Sequence, residues 1–367
     1  MTQVVFRGSC LGFSGYDNTN LLYVIGMIEN GVDVKLVEQL DNRDFYFQFI
    51  RKDWVELLIE AMDKPMADEY IYITRTTLDC FKPYPNAIKT YVSTVWEVDP
   101  LPDYWLEGFK NIEADGIIVP SEFNRSMIDG KTGKPIYLIR EGLDLSQYNN
   151  IREEKPEGTF NFLSIFQWLP RKGYDVLLEA YFKEFQDNDD VALVIKTSSL
   201  NYGVIPSSQI LSNVASIKRK FGKNLPVYIL PTHTTYEEIL DLYNECHSFV
   251  LPTRAEGYCR PALEAMASNL PLIITGWGGQ TDFANHDNAY LLDYNLSSVP
   301  RQWYSGDFQP YQVWAEPSVE HLQSQMRRVY ENRVEAKEKA KKAKQLTLEY
   351  DYRLIAKELE NVLFSNL

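Results

Sequence analysis

Short apolar runs alternate with longer amphipathic stretches along the whole of this 367-residue chain. That alternation is what parallel strands joined by crossover helices write into a sequence, because a parallel neighbour is reached only by a connection of roughly a dozen residues or more. The chain is therefore read as α/β. In the first half, residues 4–6, 32–37, 70–73, 90–95, 116–119 and 136–139 read as strands, each beside a turn or polar break. The helix between the first two is expected to begin after GFSGYDNTN, with Asn18, Thr19 or Asn20 as N-cap. At residues 141–158 the pattern lapses into EGLDLSQYNNIREEKPEG, polar and closed by Pro and Gly, which marks a domain boundary. A second series follows, with FNFLSIF, VALVIKT, PVYIL, SFVLP and LPLIIT as strands and helices after Arg171, Ser207, Thr235, Cys259 and Asp282. Beyond Pro317 comes a long charged helical run, EAKEKAKKAKQ, read as a solvated face, and then an amphipathic tail ending near Leu363. The expected organisation is a first domain over 1–148, a second over 149–340, and a C-terminal helix over 341–367 packing back on the first. Two such domains in series imply a cleft where the carboxyl ends of both sheets meet a ligand.

A chain of this length, 45% hydrophobic and 24% charged, suits two globular domains. Its formal charge of −14 disfavours a surface that condenses on nucleic acid or anionic lipid, yet leaves room for a local basic pocket. Cys10, Cys80, Cys246 and Cys259 form no C-x-x-C pair and no zinc-type spacing, so a reduced interior is expected. The first residues lack the pattern of a secretory signal, and no run reaches the roughly 18 apolar residues of a membrane span, so a cytoplasmic protein is expected. The acidic run Asp187 to Asp190 reads as a polar turn before a strand rather than a metal clamp, and no metal is expected.

The densest signal is SFVLPTRAEGYCRPALEAMASNLPLIIT: buried strand, loop, helix, buried strand. Glu256 and Glu264 stand eight apart, the first in the loop and the second about one turn into the helix. Gly257 lets the backbone approach a ligand, and the helix start near Tyr258, Cys259 and Arg260 offers backbone N–H groups and a positive dipole end. Two glutamates that merely decorate a helix N-terminus are the competing reading.

The string closely resembles the E-x7-E motif of the retaining glycosyltransferases of family 4, in the branch with Arg-Pro after the loop. VSTVWEVDPLPDYW, ADGIIVPSEFN, PIYLIREGLD, FNFLSIFQWLPRKGYDVLLEAY and GWGGQTDF resemble that family's blocks, in its order. The resemblance implies a GT-B architecture, two Rossmann-like domains facing a cleft, and transfer of a sugar from a UDP- or GDP-sugar to an acceptor glycan or other hydroxyl compound. It implies that Glu256 contacts the donor sugar, that Glu264 binds the ribose hydroxyls, and that the loop 231–234, with Thr232, meets the nucleobase. Lys172 and Arg171, after the first strand of the second domain, are the expected cations for the leaving diphosphate, whose negative charge grows as the glycosidic bond breaks. Gly12, Gly15 and Tyr16 after the first strand, and Gly278 and Gly279 after LPLIIT, are places where backbone could approach a ligand.

The sequence also departs from the family. Phe166 and Gln167 stand where many members have an arginine, which leaves charge neutralisation to Arg171, Lys172, Lys196 and the helix tip. Trp96 and Glu97 stand where many have a histidine; Trp96 reads either as a sugar-stacking ring or as core, and Asp99 is a weaker candidate. Two rival functions remain open. A phage-type DNA glycosyltransferase is disfavoured by residues 1–150, where 14 Lys and Arg face 23 Asp and Glu, a balance of −9. A non-catalytic sugar-binding protein is opposed by the intact Glu256, Glu264 and Lys172.

Overall fold

The computed structural model describes residues 2–75, 81, 84–198, 206–231, 235–301 and 308–365. The chain divides into two compact units, Met1–Leu145 with Trp303–Gln312 and Glu349–Leu367, and Ser146–Gln302 with Val313–Leu348.

The first unit holds six parallel strands: β1 (Gln3–Arg7), β2 (Val34–Val37), β3 (Tyr70–Arg75), β4 (Ala87–Ser93), β5 (Gly116–Val119) and β6 (Ile136–Leu138). They lie in the order β2-β1-β3-β4-β5-β6. Val4 is in register with Val34 on one side and Ile71 on the other, and all three are fully buried. Helices α1 (Gly15–Glu29), α2 (Arg43–Phe47), α3 (Lys52–Asp63), α4 (Asp103–Asn111) and α5 (Glu122–Ile128) make the connections. Helix α1 begins at Gly15, ahead of the expected caps. Ser14 accepts from the Asp17 backbone and Asp17 answers the Ser14 backbone, so a complete capping box forms one turn before Asn18. Asn20 is instead buried inside the helix and donates to the Ser9 carbonyl at 2.8 Å.

The second unit repeats the plan with β7 (Phe160–Gln167), β8 (Val191–Ser198), β9 (Val227–Leu230), β10 (Ser248–Leu251), β11 (Leu272–Thr275) and β12 (Tyr290–Leu292), ordered β12-β11-β10-β7-β8-β9. Read from its first strand, this is the dinucleotide-binding order, with a switch of direction between β7 and β10. Helices α6 (Tyr174–Glu184), α7 (Ser207–Phe221), α8 (Tyr236–Glu245) and α9 (Arg260–Ala267) follow the strands. No helix stands between Asp282 and β12. A single 3-10 turn over 279–282 gives way to turns in which Asn288 accepts from the Asn285 backbone and donates to the Phe283 carbonyl, local bonds that compete with helix. Among the described residues, the antiparallel pair β13 (Tyr294–Ser298) and β14 (Val313–Pro317) completes the sheet content.

The charged run beyond Pro317 is two helices, α10 (Val319–Glu331) and α11 (Arg333–Thr347), because Asn332 leaves helical geometry and caps the second by accepting from the Glu335 backbone. Helix α12 (Tyr352–Leu363) buries Ile355, Ala356, Leu359 and Leu363 in the same core as Val4, Phe6 and Val24 of the first unit. It can approach α1 closely because Gly26 faces Ala356, where an added Cβ would stand 2.6 Å away. None of the described helices is long and apolar enough to cross a membrane.

Candidate functional site

In an open parallel sheet, the loops leaving the carboxyl ends of the two strands at a switch of direction diverge and leave a crevice. In the second unit those strands are β7 and β10. The loop after β7 is a 3-10 turn, Pro170–Lys172, ended by Gly173 in the left-handed conformation, φ 69°. A Cβ at Gly173 would lie 1.9 Å from the Pro252 carbonyl oxygen, so only glycine lets the turn press against the loop after β10. Backbone bonds seal the contact, with the Arg254 N–H donating to the Arg171 carbonyl at 2.7 Å.

This packing brings Lys172, Arg171 and Glu256 together. The Lys172 Nζ donates to Glu256 Oε1 at 2.6 Å, and Arg171 Nη1 lies 3.3 Å from Oε2 while donating to the Ala255 carbonyl at 2.7 Å. The Thr253 hydroxyl stands 3.1 Å from Oε1. Glu256 is 5% exposed. Burial alone would raise its pKa, but the Lys172 ammonium and Arg171 guanidinium outweigh that and hold the carboxyl below the ordinary range. Two cations on one carboxylate leave a net positive charge in a nearly dry site.

Gly257, Tyr258 and Cys259 carry the chain from Glu256 to α9. Tyr258 is buried with its ring 5.6 Å from Phe283. Cys259 is the N-cap residue, at φ 81°, and its side chain makes no capping bond, so the positive end of α9 is not neutralised by its cap. Burial pushes the Cys259 thiol up, so it stays protonated. Gly278 and Gly279, after β11, lie against the same loop: the Gly279 N–H donates to the Glu256 carbonyl at 2.8 Å, and a Cβ on Gly279 would meet the Gly257 carbonyl oxygen at 1.9 Å. Glu264 lies one turn into α9. Its Oε2 accepts from the Tyr243 hydroxyl at 3.1 Å, and Arg260 Nη2 stands 3.6 Å from Oε1. Burial and the neighbouring Glu264 push the Tyr243 phenol well up, which keeps it a donor.

Lys196 is buried on β8, donating to the Thr197 carbonyl at 3.1 Å, with Glu238 as its charged neighbour. Asp189 bonds to Arg327 on α10 and Asp187 accepts from the Asn224 backbone, so the acidic run ties its loop to a helix and to the segment after α7. Thr232 lies outside the described residues. In the first unit, Gly15 is the first residue of α1, and a Cβ on Gly12 would meet Asp17 at 2.4 Å. The Tyr16 hydroxyl bonds to the backbone of Val95, and its ring lies under the Arg75 guanidinium at 4.9 Å. Trp96 is core, 5% exposed, with its ring 4.8 Å from Trp105 and 6.4 Å from Phe308; it presents no face to a sugar. Glu97 is half-buried and Asp99 exposed.

Three residues beside the site escaped sequence reasoning. Tyr243 is one, and the others are Arg254 and its partner Glu316. Arg254 was adjacent to the motif and apolar flanks signal its burial, but nothing in the sequence pairs it with Glu316 on β14.

The profile of the family described as Glycosyl transferases group 1 matches residues 148–298, which cover this site. A protein of Sulfolobus islandicus filamentous virus that carries the name of a glycosyltransferase is 25% identical over 249 residues, 66% of this chain and 65% of that protein. Two further curated relatives are matched over 43% and 48% of their lengths, so the chain spans less than two thirds of the relatives it matches. Among solved structures, a glycosyltransferase from Rickettsia africae superposes with a TM-score of 0.69 at 14% identity, covering 100% of this chain and 99% of that one. Anabaena HepE in complex with UDP and glucose does so with a TM-score of 0.67 at 13% identity, covering 100% of both. These likenesses show the fold, which is GT-B with two Rossmann-like α/β units.

Proposed function

We propose that the chain is a retaining glycosyltransferase of the family 4 type, moving a sugar from a nucleoside-diphosphate sugar to an acceptor hydroxyl in glycan or glycoconjugate assembly. The observation that carries this reading is the convergence of Lys172 and Arg171 on the buried Glu256 at the switch point of the second unit, beside the positive end of α9. A diphosphate leaving group is what such a site stabilises. As the bond from the anomeric carbon to the phosphate oxygen breaks, that oxygen gains charge, and cations already aimed at it lower the barrier without further reorganisation.

In this scheme Lys172 and Arg171 hold the diphosphate, Glu256 orients them and meets the sugar hydroxyls, and Glu264 accepts from the ribose diol. Its anchoring by Tyr243 suits a positioning role. Glu256 is a poor nucleophile, because two cations lower its basicity. Retention is therefore assigned to front-face attack: the acceptor oxygen bonds to the anomeric carbon on the side the phosphate leaves, and its proton passes to the departing phosphate oxygen. UDP and glucose in the HepE complex favour a uridine donor among UDP- and GDP-sugars.

The test is release of nucleoside diphosphate from a panel of nucleotide sugars with and without oligosaccharide acceptors, with the anomer of the product read by proton coupling. Acceptor-dependent release with retained configuration is expected, and Lys172→Ala should lower it by about a hundredfold or more while the melting temperature moves by only about 2–4 °C. Equal losses of rate and stability would reduce Lys172 to a structural residue.

A further inference from the structure

Arg254 precedes Glu256 by two residues and is buried. It is held by two carboxylates from separate elements. Nη1 and Nη2 donate to the two oxygens of Asp175 on α6, each at 2.8 Å, and Nε and Nη2 donate to the two oxygens of Glu316 on β14, each at 2.7 Å. Nη1 also donates to the Pro170 carbonyl at 2.6 Å, and the guanidinium carbon lies 5.4 Å from the centre of the Trp314 ring. The main chain continues the pattern, since the Arg254 N–H bonds to the Arg171 carbonyl at 2.7 Å and its carbonyl accepts from Ala315 at 2.9 Å.

Pro170 and Arg171 are the first two residues of the turn that carries both cations of the site, and both of their carbonyls accept from Arg254. Arg254 grips the first with its side chain and the second with its backbone. Its planar fork is what allows two bidentate carboxylates and a carbonyl to share one group; an ammonium on a flexible stem cannot span them. Glu316 and Ala315 brace it from the hairpin.

We infer that Arg254 is a positioning residue for the cation turn: locked between Asp175 and Glu316, it sets where Lys172 and Arg171 stand toward a bound diphosphate. This rests on the reading of the site as a diphosphate site, and it adds that the hairpin β13–β14 is part of the site's support.

The experiment compares wild type, Arg254→Lys and Glu316→Gln in the full chain. It measures calorimetric affinity for inorganic pyrophosphate, kcat and KM with the nucleotide sugar the wild type accepts, and melting temperature. Arg254→Lys should weaken pyrophosphate binding about tenfold and lower kcat more than it raises KM, because misplaced cations fail most where charge is greatest, in the transition state. Glu316→Gln, isosteric and conserving Arg254, should show the same pattern at about threefold. If Arg254→Lys does not fold, Glu316→Gln decides alone. Unchanged pyrophosphate affinity and kcat with only a lower melting temperature would overturn the inference. A wild type that binds pyrophosphate but turns over no nucleotide sugar defeats the transferase reading and leaves Arg254 tested by affinity; a wild type that binds neither defeats both.

Discussion

At Gly173 and Gly279 the site depends on the absence of a single carbon. Each position would put a Cβ 1.9 Å from a backbone oxygen of the Pro252–Gly257 loop, and Gly173 also has the left-handed φ that side chains resist. Gly173→Ala is predicted to lower both melting temperature and pyrophosphate affinity, whereas Gly222→Ala, equally left-handed at φ 64° but with open space around it, should cost stability alone. Calorimetry on the two variants checks the contrast. Glu256 gives a pH prediction. Its folded pKa lies below the ordinary 4.5, so the ionised form is favoured by folding; that stability is present above 4.5 and is lost as pH falls through the lower folded value. The melting-temperature gap between wild type and Glu256→Gln should be constant near neutrality and shrink below pH 4.5, and a gap that widens there contradicts the ion-pair geometry. At this scale the motif residues were legible because they are adjacent or eight apart. Arg254 was not, since its carboxylates lie 79 and 62 positions away and only the folded sheet brings them near.

Among the elements, the strands of the two parallel sheets other than β12 were legible because buried parallel strands read as continuous apolar runs. β12 was missed because three residues make too short a run, and β13 because it alternates with no buried face, Tyr294–Ser298 being exposed or half-buried throughout. The start of α1 was misplaced because three candidate caps follow Ser14 closely, and only the reciprocal bond of Asp17 selects among them. Lys155 shows how the ends of α8 and α9 are held. Its ammonium donates to the Tyr243 carbonyl at 2.9 Å and the Ser268 carbonyl at 3.3 Å, where helix carbonyls lack partners. Burial pulls its pKa down to about 8 from 10.5. The unfolded chain therefore binds more protons between those values, and stability rises with pH across that window. Wild type should gain melting temperature relative to Lys155→Met between pH 8 and 10.5; a difference that stays flat across that window would place Lys155 in solvent.

On the scale of the whole chain, sequence order and structural membership part company twice. Residues 349–367 end the chain yet pack on α1, and residues 303–312 belong to the first unit although strands of the second flank them. The amphipathic tail was visible as a pattern; the excursion was not, because its anchors, Gln312 donating to the Pro100 carbonyl at 2.7 Å and Tyr311 accepting from the Asp103 backbone at 3.2 Å, are single polar bonds. Ile355, Leu359 and Leu363 are fully buried, and at roughly 1.5–3 kcal/mol each their loss approaches the whole stability of a domain, about 5–15 kcal/mol. Deleting 349–367 should thus unfold the first unit, seen as early loss of protection from hydrogen exchange over β1 to β4, while the second unit still binds pyrophosphate.

Whether the second unit holds a nucleoside diphosphate is decided by calorimetric titration of UDP, GDP and inorganic pyrophosphate against wild type, Lys172→Ala and Glu264→Ala. One nucleoside diphosphate should bind the wild type, Lys172→Ala should weaken it and pyrophosphate alike, and Glu264→Ala should weaken the nucleotide while sparing pyrophosphate. Binding of a nucleoside diphosphate that neither substitution diminishes, or no binding at all, would contradict a diphosphate site in the second unit.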